Sequence, residues 1–250
     1  DQEHDLTTSI QVHLPWTFDI PAFLFGAPPN PANAGYSAIS YGGPLVENSK
    51  WTSVFFSTTW NVSDTFRINV GGRNQSIDKT GVENPMLARL PTGGEAYEAL
   101  TPSGPPVSGR VDASDFLPEI GVQWDVTDAV MVYAKYSEAL KAGGFVKSPP
   151  IGGAVANPFT YDNEVAEGFE MGVKSLLFDG RLLLNASYYN TDFTDLQVTI
   201  LNPDTAAFET QNAAAAHTKG FEFDGRWAVT DNFSVGFAGS VSEAKYDNYV

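Results

Sequence analysis

The sequence predicts an all-β chain, an antiparallel transmembrane β-barrel segment of about nine long strands with short turns at one end and long loops at the other. Three observations carry this. Apolar and polar residues alternate over runs of roughly 13 to 18 residues, where an ordinary strand has about 5 or 6. Tight turns alternate strictly with long Pro-, Gly- and Asn-rich connections. Helical periodicity is absent, and no stretch approaches the roughly 18 apolar residues of a membrane-spanning helix.

In chain order, residues 6–13 (LTTSIQVH) alternate weakly and form the first strand. Residues 14–50 have loop composition. A hairpin follows: Val54, Phe56, Thr58 and Trp60 share one face, the turn falls at Val62-Ser63-Asp64, and Phe66, Ile68 and Val70 return along that face. Residues 78–114, with five prolines, read as a second long loop. The hairpin at 115–140 places Phe116, Ile120, Val122 and Trp124, then Val130, Val132, Ala134 and Tyr136, on its apolar side, with a turn at Val126-Thr127-Asp128. A third loop covers 141–163. The hairpin at 164–200 turns at Phe178-Asp179-Gly180-Arg181, where Asp-Gly between alternating runs is a strong hairpin signal. A shorter loop spans 202–212. The final hairpin, 213–247, aligns Phe221, Phe223 and Trp227 with Phe233, Val235, Phe237 and Val241.

A soluble β-sandwich also alternates, so alternation alone leaves that fold open. Strand length favours a membrane, since about 9 to 11 tilted residues cross the hydrocarbon. Aromatic residues near strand ends (Trp51, Trp60, Trp124, Tyr136, Tyr188, Trp227, Tyr246) fit an interfacial belt, although core packing would also place rings there.

Net charge is −16, from 30 acidic and 14 basic side chains, which argues against nucleic acid and anionic surfaces as partners. Such an excess ordinarily reflects solvated loops; attraction of a cationic or metal-bearing ligand is the sharper alternative. The absence of cysteine excludes disulfides and thiolate metal sites. His4, His13 and His217 are too scattered for metal-ligand spacing, and no nucleophile triad or phosphate loop is present. No catalytic residue, metal site or cofactor is therefore expected. The polar face carries Arg67, Arg73, Glu119, Lys135, Glu170, Lys174, Glu222, Asp224 and Arg226, expected to form ion pairs along a barrel lumen or to guide a substrate. Glu170 with Lys174, and Glu222 with Arg226, share a face at a spacing of four. Candidate ligand contacts on the loops and upper lumen are Tyr36, Tyr41, Tyr97, Lys141, Phe145, Tyr161 and Gln211.

Several strings bear a family resemblance. VYAKYSEALKAGGF (Val132 to Phe145) resembles the strand-end pattern vYasYseGfKaGGF of TonB-dependent outer-membrane receptors, with Ala139 and Leu140 replacing its Gly-Phe. The block from 164 to 200 is similar to the same family's pattern through Glu164, Glu170, Gly172, Lys174, Asp179, Gly180, Arg181, Asn185, Asp195, Leu196 and Gln197. Gly220 and Glu222 fit the next strand, and GGRNQSIDK a preceding one, with Asn74 where tyrosine is common.

The resemblance covers roughly residues 50–247. It implies a larger, 22-stranded barrel in the Gram-negative outer membrane, plugged by an N-terminal domain and energised through TonB. The implied function is active transport of a scarce large ligand, most often a ferric siderophore, with sugars, cobalamin or plant polyphenols as other cargo. On this reading residues 1–250 are one partial barrel, and the plug and final strands lie outside the sequence. A carbohydrate-binding β-sandwich and a passive porin are the competing readings; an enzyme has no support.

Overall fold

The computed structural model describes residues 3–9, 12–14, 36–42, 44–91, 93, 96–102, 104–146, 159–202 and 207–249. Fifteen strands are present among them. They are β1 (Glu3–Ser9), β2 (Val12–Leu14), β3 (Tyr36–Gly42), β4 (Pro44–Asn61), β5 (Phe66–Glu83), β6 (Met86–Pro91), β7 (Thr101–Pro102) and β8 (Val107–Thr127). Then come β9 (Val130–Lys141), β10 (Gly144–Phe145), β11 (Thr160–Tyr161), β12 (Glu164–Leu177), β13 (Leu182–Asn202), β14 (Ala207–Thr230) and β15 (Phe233–Tyr249). Nine of them build one antiparallel sheet in the order β1-β4-β5-β8-β9-β12-β13-β14-β15. That matches the nine strands expected.

The four tight turns fall where the sequence places them. At the first, Ser63 Oγ accepts a hydrogen bond from Phe66 N at 3.0 Å and Val62 N donates to Phe66 O at 2.9 Å. The turn between β12 and β13 takes positive φ at Phe178, Asp179 and Gly180. Only Gly180 adopts that region without steric cost.

The expected loops are shorter than composition suggests. β4 begins at Pro44, β5 continues to Glu83, β8 starts at Val107 and β14 at Ala207. Much of the predicted loop 78–114 is therefore ladder, and β3, β6 and β7 with β2 make a separate four-stranded sheet. The expected first strand, 6–13, is β1 and part of β2, which belong to different sheets. These extensions lack the lipid-type alternation: their outer face carries Ser76, Asp78 and Thr80, and their inner face carries the buried Ile77 and Val111 with Gly81 and Gly109 under the Phe145 and Phe159 rings. Backbone hydrogen bonding sustains a strand regardless of that pattern.

Register fixes the faces. Directly paired residues share a face, so the row Trp60, Ile68, Val122, Ala134, Met171, Tyr188, Phe221, Val241 runs across eight strands on one side. Trp60 is 65% exposed, Phe116 52% and Val241 76%, and no second sheet covers this surface among the described residues. A sandwich would bury it; the sandwich reading fails here. On β8 the apolar face extends from Phe116 to Trp124, about 27 Å along the strand, or about 21 Å of membrane at a tilt near 40°. This approaches the roughly 25 Å apolar band of outer-membrane barrels.

On this face aromatic rings lie over cross-strand glycines. A Cβ on Gly72 would sit 2.3 Å from Phe116, on Gly225 2.4 Å from Phe237, and on Gly239 2.6 Å from Phe223. Two residues expected in the aromatic belt are on the other face. Trp51 pairs with Ile77, and Tyr246 pairs with Ala216, one residue on from Lys245 and so on the opposite side to it. Proximity to a strand end suggested the belt; the parity of the ladder decides otherwise.

Candidate functional site

All nine charges expected on the polar face share it. Between β9 and β14 they form a hydrogen-bonded patch. Lys135 Nζ lies 3.0 Å from Glu170 Oε2, and Tyr133 Oη donates to the other oxygen of Glu170. Lys174 Nζ sits 5.6 Å from the Tyr133 ring centroid, and Asn185 Nδ2 donates to Asp224 at 3.1 Å. Tyr133, Lys174, Asn185, Ser187, Glu222 and Asp224 surround a small hollow of about 220 Å³. The i,i+4 spacing noted in sequence understates this arrangement, because Glu170's ion pair crosses to the next strand. Arg226 bonds Ser234 rather than Glu222. Nearer the turns, Arg67 pairs with Asp125 at 2.6 Å.

The roots of the long loops form a second polar assembly. Glu164, 8% exposed, accepts from Gln197 N at 2.8 Å and lies 3.3 Å from Lys141 Nζ. The Gln197 side chain donates to the carbonyls of Ala142 and Asp162, both at 3.1 Å. Asn212 donates to Asp195 O at 2.7 Å and accepts from Asp162 N at 2.6 Å. Asp195 has a positive φ of 53° within a bulge between Phe193 and Gln197, which turns Gln197 toward the loop. Lys141, Glu164, Asp195 and Gln197 thus meet in one knot, although they are up to 56 residues apart. Sequence reasoning missed Asn212 here.

The candidate ligand contacts are dispersed. Tyr36 and Tyr41 lie in β3, paired with Pro91 and Leu87. Tyr97 is half-buried in the β6–β7 connection, and Gln211 pairs with Val198 in the extension of β14. Lys141 is held by Glu164. Tyr161 pairs with Gly144, and burial, then the Glu47 carboxylate, push its hydroxyl above the usual tyrosine range. Phe145 is not displayed to a ligand: it is 8% exposed, 5.4 Å from Phe159, and both rings pack with Val111. Phe145 rests on Gly81, and Phe159 on Gly109, where a Cβ would lie 2.7 and 2.9 Å from the rings. Gly81 and Gly109 share the polar face of β5 and β8, so the ends of the β9–β12 loop fold onto that face.

A sheet with an uncovered apolar band on one side and a hydrogen-bonded polar lining on the other is the wall of a membrane β-barrel. A family profile described as TonB dependent receptor-like, beta-barrel matches residues 3–249. The chain belongs to that family. No curated protein matches it in sequence.

Among solved structures, the ferric yersiniabactin uptake receptor FyuA from Yersinia pestis superposes with a TM-score of 0.64 at 17% identity, over 85% of this chain and 29% of that one. The ferric-catecholate import receptor Fiu from Escherichia coli K12, closed form, gives 0.54 at 17% identity over 85% and 29%. The siderophore receptor PiuA from Acinetobacter baumannii gives 0.54 at 16% identity over 84% and 27%. The chain spans under a third of each of these proteins.

Proposed function

We propose that this chain is barrel wall of an outer-membrane TonB-dependent receptor that actively transports a scarce, large ligand, and that the ligand is a ferric siderophore. The observation that carries the reading is the division of one continuous sheet into a lipid-facing apolar side and a polar lumen side, in a chain matched along its length by the family. The siderophore assignment is supported by the names of the three similar structures, each a siderophore or ferric-chelate receptor.

The lining supports transport rather than free diffusion. The lumen charges between β9 and β14 are largely engaged with one another, which suits a wall that packs against a plug. Energy would reach the barrel through that plug and TonB, and the loop-root knot would hold the loops that meet the ligand first.

The test is growth on chelated iron. Deleting the gene should abolish growth on one or more ferric siderophores as sole iron source, and the complete gene should restore it only in a strain with functional TonB. Growth that persists without TonB would place the protein among passive porins. Unchanged growth on every ferric siderophore would remove the iron assignment.

A further inference from the structure

The strand-end run Lys141-Ala142-Gly143-Gly144-Phe145 does more than finish β9. Its glycines let the two ends of the β9–β12 connection close on each other. A Cβ on Gly143 would collide with Tyr161 O, and one on Gly144 would lie 2.5 Å from Tyr161 Oη. Gly144 pairs with Tyr161 and Phe145 with Thr160, and Val146 N donates to Phe159 O at 2.8 Å. Residues 143–146 and 159–162 are thus one short stem.

The stem carries two rings, and the wall has a notch for them. Gly81 and Gly109 stand directly opposite each other on the polar face of β5 and β8. Lacking side chains, they leave a floor that Val111, Leu45 and Val107 border and that Phe145 and Phe159 fill. Val146, next to the first ring, is buried as well.

Different forces hold the two ends of the stem. Its base is hydrogen-bonded. Gln197 Nε2 donates to Ala142 O and Asp162 O, each at 3.1 Å, and Gly143 N donates to Asn163 Oδ1 at 2.8 Å. Asp162 N donates to Asn212 Oδ1 at 2.6 Å. The tip is held by apolar contact. β10 and β11 form a sheet of their own, and among the described residues no hydrogen bond or ion pair joins 144–146 or 159–161 to β4, β5 or β8. Apolar contact is non-directional, so the rings can leave the notch without stranding a buried polar group on either side. Such a part opens locally at far lower cost than the sheet beneath it.

We propose that this stem is a latch on the lumen wall. It rests in the Gly81–Gly109 notch while the receptor is idle and lifts out of it during each transport cycle, pivoting on its hydrogen-bonded base. The inference rests on the transport reading and adds a moving part to it.

The test uses the complete receptor in cells. Gly81→Cys with Phe145→Cys locks the latch: a Cβ at 81 lies 2.7 Å from Phe145 Cγ, the place a cysteine sulfur takes, against roughly 3 Å across a disulfide. Three radioiron-labelled chelates are offered: ferrichrome, ferrioxamine B and ferric enterobactin. Import of whichever of them wild-type cells take up should fall about tenfold or more on oxidation and recover on reduction, with cross-linking followed by gel mobility. Val111→Cys reports the latch without any chosen chelate, because Val111 packs against both rings. Adding Phe145→Ala and Phe159→Ala should speed its labelling by a maleimide about tenfold or more. With the rings intact, labelling in spent growth medium should be about tenfold or more faster in cells with functional TonB than in cells without it.

Full import through a receptor shown to be cross-linked makes the stem a fixed part of the wall and overturns the latch. So does labelling of Val111→Cys that is unchanged by loss of the rings, or equal with and without TonB. If the reduced cysteine pair fails to import, the TonB dependence of labelling decides alone. If wild type imports none of the three chelates while labelling still depends on TonB, the latch stands and the siderophore reading falls.

Discussion

Truncating Glu164 should loosen the roots of two loops together, and the size of the effect follows from its partners. Its side chain is 10% exposed, whereas that of Lys141 is 60% exposed. The ion pair is thus largely in solvent on the lysine side and contributes about 0–1 kcal/mol. The bond from Gln197 N, at 2.8 Å to the same carboxylate oxygen, is charge-assisted and buried, and it contributes about 1.5–3 kcal/mol. Glu164→Ala leaves that N–H without an acceptor and should cost about 2–3 kcal/mol of local stability. Glu164→Gln keeps an acceptor and should lose only about 1 kcal/mol. Lys141→Ala should fall below both. Hydrogen exchange at the Gln197 amide of the complete receptor reads this directly: about 30- to 150-fold faster in Glu164→Ala and about fivefold faster in Glu164→Gln. If Lys141→Ala accelerates exchange as much as Glu164→Ala, the ion pair is the dominant contact and the reasoning is wrong.

Other consequences can be checked by urea titration of the folded receptor in detergent or by growth. Val122→Lys, at mid-band on the lipid face, should destabilise by about 2–4 kcal/mol, while Ser240→Lys, on the lumen face opposite Glu222, should be near neutral; equal effects would mean the faces are reversed. Gly81→Val places a Cβ 2.7 Å from Phe145 and should displace that ring, raising protease cleavage within residues 141–163, and Phe145→Ala in the same chain should restore resistance. Glu170 serves both Tyr133 and Lys135, so Glu170→Ala should cost about 2–3 kcal/mol against about 1 kcal/mol or less for Lys135→Ala. A reversed order would show that the tyrosine bond contributes little.

What could be read in the sequence depended on solvent contrast. Where one face meets lipid and the other the lumen, alternation is strong, and the hairpins at 54–73, 115–137 and 164–189 and their turns were legible. Where β5 continues through Ser76, Asp78 and Thr80, the outer face is polar while the inner face buries Ile77 and Gly81, so the composition resembles a loop although the ladder to β4 and β8 is unbroken. Phe145 misled for another reason. An aromatic after two glycines looks like a displayed contact, but its seat is Gly81, which nothing in the local sequence links to it.

Register also settles how the sheet lies in the membrane. The paired row that starts at Val70 in mid-band continues through Ile120, Tyr136 and Phe169, then reaches Asn190, Lys219 and Glu243. All share the lipid-facing side, yet the row passes from apolar to charged. Six strand spacings of about 4.8 Å, at a tilt near 40°, raise such a row by about 18 Å. Half of a roughly 25 Å band is only about 12 Å, so its far end must emerge into the headgroup region. A flat sheet with strands along the membrane normal would keep a row at one depth, and Lys219 with Glu243 would then stand in hydrocarbon. Their position is tolerable because the strands tilt, and tilt of this size is what closing such a sheet into a barrel requires.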